Sequence, residues 1–185
     1  MLYPSISPYF DHLFGNASAP IVVVEYGDLL CPHCGDCFAE IKILQEMLGD
    51  YLLFAFRHFF PFNPYSISLD AAVACEVAGT QGKFWYMHDI IFENQRYLSR
   101  SALSRFGSEV GLNMSPFKDT RTYKTLAQRV IRDFESGIKS GADGTPTFFI
   151  NGRRYNGQHD WQGILKACRF SLLTRKEETK QERQY

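Results

Sequence analysis

The chain has 185 residues, and its 20 Lys plus Arg balance 20 Asp plus Glu to a formal charge of zero. That balance provides no bulk electrostatic hold on nucleic acid or an anionic membrane surface. Apolar residues make up 45% of the chain, enough for a buried core, but no run of about 18 of them is present to insert into a bilayer.

Residues 1–14 are expected to be an N-terminal extension. The opening MLYPSISPYFDHLFGNASAP has neither the basic nor the apolar region of a secretory leader, which predicts a cytoplasmic protein. A chain trimmed behind its leader would look the same and would be periplasmic or exported. Ile21–Tyr26 (IVVVEY) is β-branched and nearly continuous, the pattern of a buried strand. A short loop, Gly27–Leu30, leads into the cysteines. From Pro32, Phe38, Ile41, Leu44 and Leu48 recur at helical spacing until Gly49-Asp50 closes the helix. Tyr51–Phe59 is a second strand. A strand, helix and strand in that order imply a parallel pair with a helical crossover.

No strand-like run follows until about Gly144. Leu69–Ala78, Phe84–Phe92, Leu103–Val110 and Tyr123–Ile138 are predicted helices, the last with a stripe of Tyr123, Ala127, Val130, Phe134 and Ile138. Residues 63–144 are therefore expected to form a helical insertion, large enough for a satellite domain. Thr147–Ile150 and Arg153–Tyr155 flank Asn151-Gly152, the pair that favours a two-residue hairpin turn. A final helix over Trp161–Leu173 should turn Trp161, Ile164, Leu165 and Cys168 inward. Residues 174–185 are predicted to be a charged, flexible tail.

Of the 5 cysteines, Cys31, Cys34 and Cys37 crowd into one short stretch. Such clustering points to redox chemistry or metal binding rather than a disulfide framework. Two CxxC motifs overlap there, and only Cys31-Pro32-His33-Cys34 both follows a strand and opens a helix. Pro32 fits the first helical position, where its missing N–H costs nothing, so Cys31 falls at the N-cap. The unpaired first-turn N–H groups and the positive end of the helix dipole stabilise a thiolate there. His33, as a hydrogen-bond donor or a cation, adds to this. A stabilised thiolate also leaves more readily and favours the dithiol over the disulfide. Cys34 shares a helical stripe with Phe38 and Ile41 and should be buried. The expected chemistry is thiol–disulfide exchange, with Cys31 as nucleophile and Cys34 as resolving thiol.

A metal module competes, because three thiolates stand at three-residue steps. It lacks a second CxxC or an HxxxH to complete a zinc site, so no metal is expected. Cys75, Cys168 and Trp85 read as core, although Trp85 could also line an apolar groove. Cys37 packs beside Ile41, where oxidation could join it to Cys34. No partner motif accompanies His12, His58, His88 or His159.

Four segments, GNASAPIVVVEY from Gly15, GDLLCPHC from Gly27, QGKFWYMHD from Gln81 and GTPTFFING from Gly144, together with FRHFFPF over Phe56–Phe62, resemble the DsbA-like branch of the thioredoxin superfamily. The resemblance spans about Gly15 to Phe170. It implies an α/β thioredoxin-like fold: β-α-β (residues 15–62) and β-β-α (145–173) in one mixed sheet, interrupted by an all-helical insertion. It implies that Thr145-Pro146 is the cis-proline element beside the active cysteine, where the Thr145 backbone could pair with an extended substrate. Glu25 matches a buried acid that takes the proton of Cys34 during resolution.

The implied partners are thiol- or disulfide-containing proteins or peptides and a further redox partner. No cofactor is implied beyond the redox-active disulfide Cys31–Cys34. The oxidase, reductase and isomerase directions all stay open. Glutathione-linked transferases and isomerases share the scaffold, but they generally lack the second active-site cysteine.

Overall fold

The computed structural model describes residues 1–60 and 66–182, with side chains as far as Thr174. The last two residues of the FRHFFPF stretch and the expected start of the insertion at residue 63 lie outside the described residues, as do residues 183–185.

Five strands form one mixed sheet in the order β1-β3-β2-β4-β5. They are β1 (His12–Gly15), β2 (Ile21–Gly27), β3 (Leu52–His58), β4 (Thr147–Ile150) and β5 (Arg153–Tyr155). β2 and β3 run parallel, from Ile21 opposite Leu52 to Gly27 opposite His58. β4 is antiparallel to β2, and β5 is antiparallel to β4. Asn151 and Gly152 both have positive φ, 46° and 80°, the paired geometry that makes Asn-Gly suited to a tight hairpin.

Helix α1 (Pro32–Leu48) crosses from β2 back to β3 through a 3-10 turn at Gly49–Tyr51. It buries Cys34, Cys37, Ile41 and Leu44 against the sheet. Because side chains alternate along a strand, Ile21, Val23 and Glu25 face the α1 side, while Val24 and Tyr26 belong to the core on the opposite face.

Between β3 and β4 lie α2 (Ile67–Gly79), α3 (Phe84–Glu93), α4 (Arg100–Glu109), α5 (Ser115–Lys118) and α6 (Thr120–Ser140). Side-chain caps start three of them: Ser66 accepts from Leu69 N–H, Ser99 from Ala102 N–H and Asp119 from Thr122 N–H. α2 is buried along almost its whole length and packs on α3, α4 and α6. Its apolar residues are continuous with those of α1 and the sheet, so one core joins the helical layer to the strands.

Three features differ from the sequence reading. The N-terminal segment contributes β1, an edge strand antiparallel to β3 from His12 opposite Phe56 to Gly15 opposite Leu53. It is too short and too little alternating to announce itself, and it is defined by its partner strand. The α6 stripe holds through Ala127, Val130 and Phe134, which stacks on Phe59 at 5.1 Å, but Ile138 is 55% exposed. The helix instead turns Ser136, Gly137 and Ser140 inward, because a Cβ at Gly137 would fall 2.4 Å from the Phe59 ring. Finally, α7 (Trp161–Glu182) extends well past Leu173, so the backbone of the expected tail is helical as far as Glu182.

Residues before β1 also pack. Leu2 and Ile6 cover the Val24–Tyr26 face, and Arg57 bridges Asp11 at 2.7 Å and the Pro4 carbonyl at 3.1 Å. Glu76 of α2 sits at the centre of a buried ionic cluster, 2.9 Å from His12, 3.5 Å from His58 and 2.5 Å from Arg129. β1, β3, α2 and α6 are thereby tied together.

Candidate active site

β2 ends at Gly27, and the following turn is held by Asp28. Its carboxylate accepts from Leu30 N–H at 2.9 Å and from the Ser68 hydroxyl at 3.2 Å, while its carbonyl accepts from Cys31 N–H at 3.0 Å. This Asx turn delivers the chain into α1 with Cys31 at the N-cap, φ −69° and ψ 122°, and Pro32 in the first helical position. No side chain caps the helix. Its first-turn N–H groups are thus left for whatever anion sits at the tip.

Cys31 is half-buried, and Pro32 and His33 beside it are exposed. The Cys31 thiol donates to the Thr145 carbonyl at 3.4 Å. The Thr145–Pro146 bond is cis, and Pro146 immediately precedes β4. All five cysteines are free thiols. One turn into α1, Cys34 is fully buried. Burial, followed by the nearby Glu25 charge, pushes its thiol far above the ordinary range, while the Asp28 backbone and the Thr145 side chain pull the other way.

Glu25 is 4% exposed, and burial raises its carboxyl to about 8. It lines a small cavity of about 10 Å³ together with Cys34, Phe38, Lys42, Phe54, His88 and Phe92. That volume is about what the centre of one water needs. Glu25 and Cys34 thus share a small compartment beneath α1, walled mainly by aromatic rings.

On the other flank of Cys31 an open groove of about 440 Å³ is lined by His33, Cys37, Glu40, Thr145, Pro146 and His159. Cys37 is 5% exposed, and its thiol donates to the His159 carbonyl at 3.5 Å. Burial pushes it up to about 12. Cys75 and Cys168 lie in the core, as does His88, while Trp85 donates to the Leu13 carbonyl at 2.9 Å. Among the described residues no three His, Cys, Asp or Glu side chains converge as a metal ion would require.

Sequence reasoning missed several members of the site. Asp28 had a legible signal, an Asp two residues before the N–H that it accepts. Gln95, whose amide reaches the carbonyls of Leu29 and Cys31, and His159 had none, because only the fold brings them to the cysteines.

A cysteine pair opening a helix over a mixed sheet, opposite a Thr-Pro element and with helices inserted between β3 and β4, defines a DsbA-like protein of the thioredoxin superfamily. A family model described as Thioredoxin matches residues 9–168, and the chain belongs to that family. BdbD from Bacillus subtilis superposes with a TM-score of 0.78 at 25% identity, over 90% of this chain and 95% of that one. Wolbachia pipientis alpha-DsbA1 gives a TM-score of 0.78 at 22% identity, over 91% and 94% of the two chains.

Among curated proteins, one from Herminiimonas arsenicoxydans, described as a Na(+)/H(+) antiporter NhaA, is 35% identical over 177 residues, 94% of this chain and 28% of its own length. One from Mycobacterium sp. (strain KMS), described as Na(+)/H(+) antiporter NhaA 1, is 37% identical over 164 residues, 88% of this chain and 27% of its own length. The chain therefore spans about a quarter of the curated relatives it matches. Among its described residues no helix is long and apolar enough to cross a membrane.

Proposed function

We propose that this chain exchanges disulfides with thiol- or disulfide-bearing proteins or peptides through Cys31 and Cys34. The observation that carries this reading is the inequality of the two sulfurs. Cys31 is reachable at an uncapped helix start beside Thr145, and Cys34 is sealed beneath it next to Glu25.

In the donating direction a substrate thiolate attacks Cys31 of the Cys31–Cys34 disulfide. The S–S bond breaks, its electron pair leaves on Cys34, and Cys34 takes a proton from Glu25. A second substrate thiolate then attacks the substrate sulfur, releasing Cys31 as a thiolate and the substrate as a disulfide. The substrate is oxidised by two electrons and the pair reduced by two. In reverse, the Cys31 thiolate attacks a substrate disulfide, and Cys34, giving its proton to Glu25, resolves the mixed disulfide. A carboxyl at about 8 is matched to both roles, because near neutral pH each protonation state is within reach. Thr145 and the groove beside Pro146 offer backbone and surface to an extended substrate segment.

The reduction potential of the Cys31–Cys34 couple tests the reading and assigns its direction. A value near about −120 mV marks a disulfide donor, and one near about −270 mV a reductase. The compartment then fixes the resting state: in a reducing cytoplasm the pair rests as a dithiol, and in a periplasmic or extracellular setting as a disulfide. Failure of Cys31 and Cys34 to form a reversible disulfide in a glutathione buffer defeats the proposal.

A further inference from the structure

Gln95 begins the 3-10 turn Gln95–Tyr97 that follows α3, and its side chain crosses to the cysteine site. Its Nε2 donates to the carbonyl oxygens of Leu29, at 3.0 Å, and Cys31, at 2.8 Å. Both hydrogens of one primary amide are thereby used on the loop that ends in Cys31. The Cys31 oxygen also accepts the first hydrogen bond of α1, from Gly35 N–H at 3.1 Å. Gln95 and the helix start therefore converge on one atom. Among the described residues no other side chain reaches either carbonyl. On the other side of the amide, Oε1 lies so close to Gly35 that a Cβ there would come within 2.6 Å of it. A glycine in the first turn of α1 thus makes the room that Gln95 occupies.

We infer that Gln95, supplied by the helical layer inserted between β3 and β4, is a positioning residue for Cys31: its amide pins the Leu29 and Cys31 carbonyls and so fixes how the start of α1 faces the sulfur. An N-cap thiolate is stabilised only while the first-turn N–H groups point at it and neighbouring carbonyl oxygens do not. Engaging both carbonyls holds their negative ends on Gln95. Without that amide each carbonyl loses a donor, the Cys31 carbonyl keeps only its bond from Gly35 N–H, and a carbonyl dipole that tilts toward the sulfur works against the anion. The inserted layer thereby acts on the redox site through one side chain as well as by covering it.

This inference rests on the assignment of Cys31 as nucleophile, and its test separates the two. Gln95→Leu removes both donors without adding a charge. Gly35→Ala leaves Gln95 in place but displaces its amide, which is the free end of a flexible side chain and can move. The 185-residue proteins, reduced, are titrated by ultraviolet thiolate absorbance, and each is equilibrated with glutathione buffers.

In both variants the Cys31 ionisation midpoint is expected to rise, with the thiolate fraction below the midpoint falling about threefold or more. The exchange equilibrium should move toward the disulfide by a similar factor, because a less stable thiolate makes the pair less oxidising. A role confined to stability would lower the melting temperature and leave both readings unmoved. Unchanged midpoints and equilibria in the two variants, with a stabilised thiolate in the wild type, overturn the role of Gln95 alone. A wild-type Cys31 that ionises like free cysteine overturns the nucleophile assignment and this inference together.

Discussion

The Cys31 thiol donates to the Thr145 carbonyl at 3.4 Å, joining the N-cap of α1 to the residue before Pro146. The side chain of the same threonine favours the ionised form of Cys34, against the burial that raises its thiol. One residue from the β4 end of the domain thus bears on both sulfurs, on the accessible one through a backbone hydrogen bond and on the buried one through its side chain. Under the proposed exchange the behaviour of the pair depends on this contact and on Glu25 below it, as much as on the spacing of the cysteines.

Three cysteine variants should therefore behave differently. Cys31→Ser is expected to abolish exchange with a disulfide-bonded peptide. Cys34→Ser should trap the peptide as a mixed disulfide on Cys31, visible by mass spectrometry, because the resolving thiol is gone. Cys37→Ser should retain most activity, since its sulfur is packed against the His159 carbonyl. Equal losses in the Cys31 and Cys37 variants would refute the choice of pair. Full turnover by Cys34→Ser would instead favour a single-nucleophile, glutathione-linked transferase.

Glu25 should make stability fall with rising pH. Its carboxyl ionises at about 8 in the fold against 4.5 when unperturbed. Below 4.5 both folded and unfolded chains hold the proton. Between the two values only the unfolded chain releases it, so each pH unit costs about 1.4 kcal/mol of stability. Denaturant melts of Glu25→Gln and wild type at about pH 5 and about pH 8 should show the variant gaining relative stability at the higher pH. A difference that does not grow would mean that Glu25 is solvated.

The ionic cluster around Glu76 has the opposite sign. Burial alone would raise its carboxyl, but the hydrogen bond with His12 and the proximity of His58 hold it down at about 2. Its stabilisation is present above 4.5 and drains away as pH falls toward 2. Glu76→Gln leaves the Arg129 guanidinium short of its carboxylate partner and should cost about 3 kcal/mol near neutral pH. Calorimetry should show that gap narrowing in acid; a gap independent of pH would place the effect in packing instead.

Gly137→Ala tests the α6 crossing. In an exposed helix this change adds up to about 1 kcal/mol of stability. Here the new Cβ would meet the Phe59 ring at 2.4 Å and Tyr26 at 3.1 Å. We expect a loss of about 1–3 kcal/mol, the usual range for overpacking. A raised melting temperature would show that the helix can lift off the rings without penalty.

Much of this protein was legible locally. A β-branched run gave β2, helical spacing from Pro32 gave α1, Asn-Gly gave the β4–β5 hairpin, and CPHC between strand and helix singled out Cys31 and Cys34. Each of these rests on interactions within a few residues, where side-chain period and turn chemistry decide the outcome. Resemblance added Thr145, Pro146 and Glu25, which nothing in their immediate neighbours would have connected to the cysteines.

Tertiary structure alone decided the rest. β1 exists because β3 offers it an edge, and α6 abandons its apolar stripe at Gly137 because Tyr26 and Phe59 wait beneath it. Glu76 is ionised because His12, His58 and Arg129 arrive from three other elements. Gln95 reaches the loop before Cys31 because α3 ends beside it. Burial, desolvation and hydrogen bonding at these positions are properties of what the folded chain brings close, and no sequence window contains both members of any such pair.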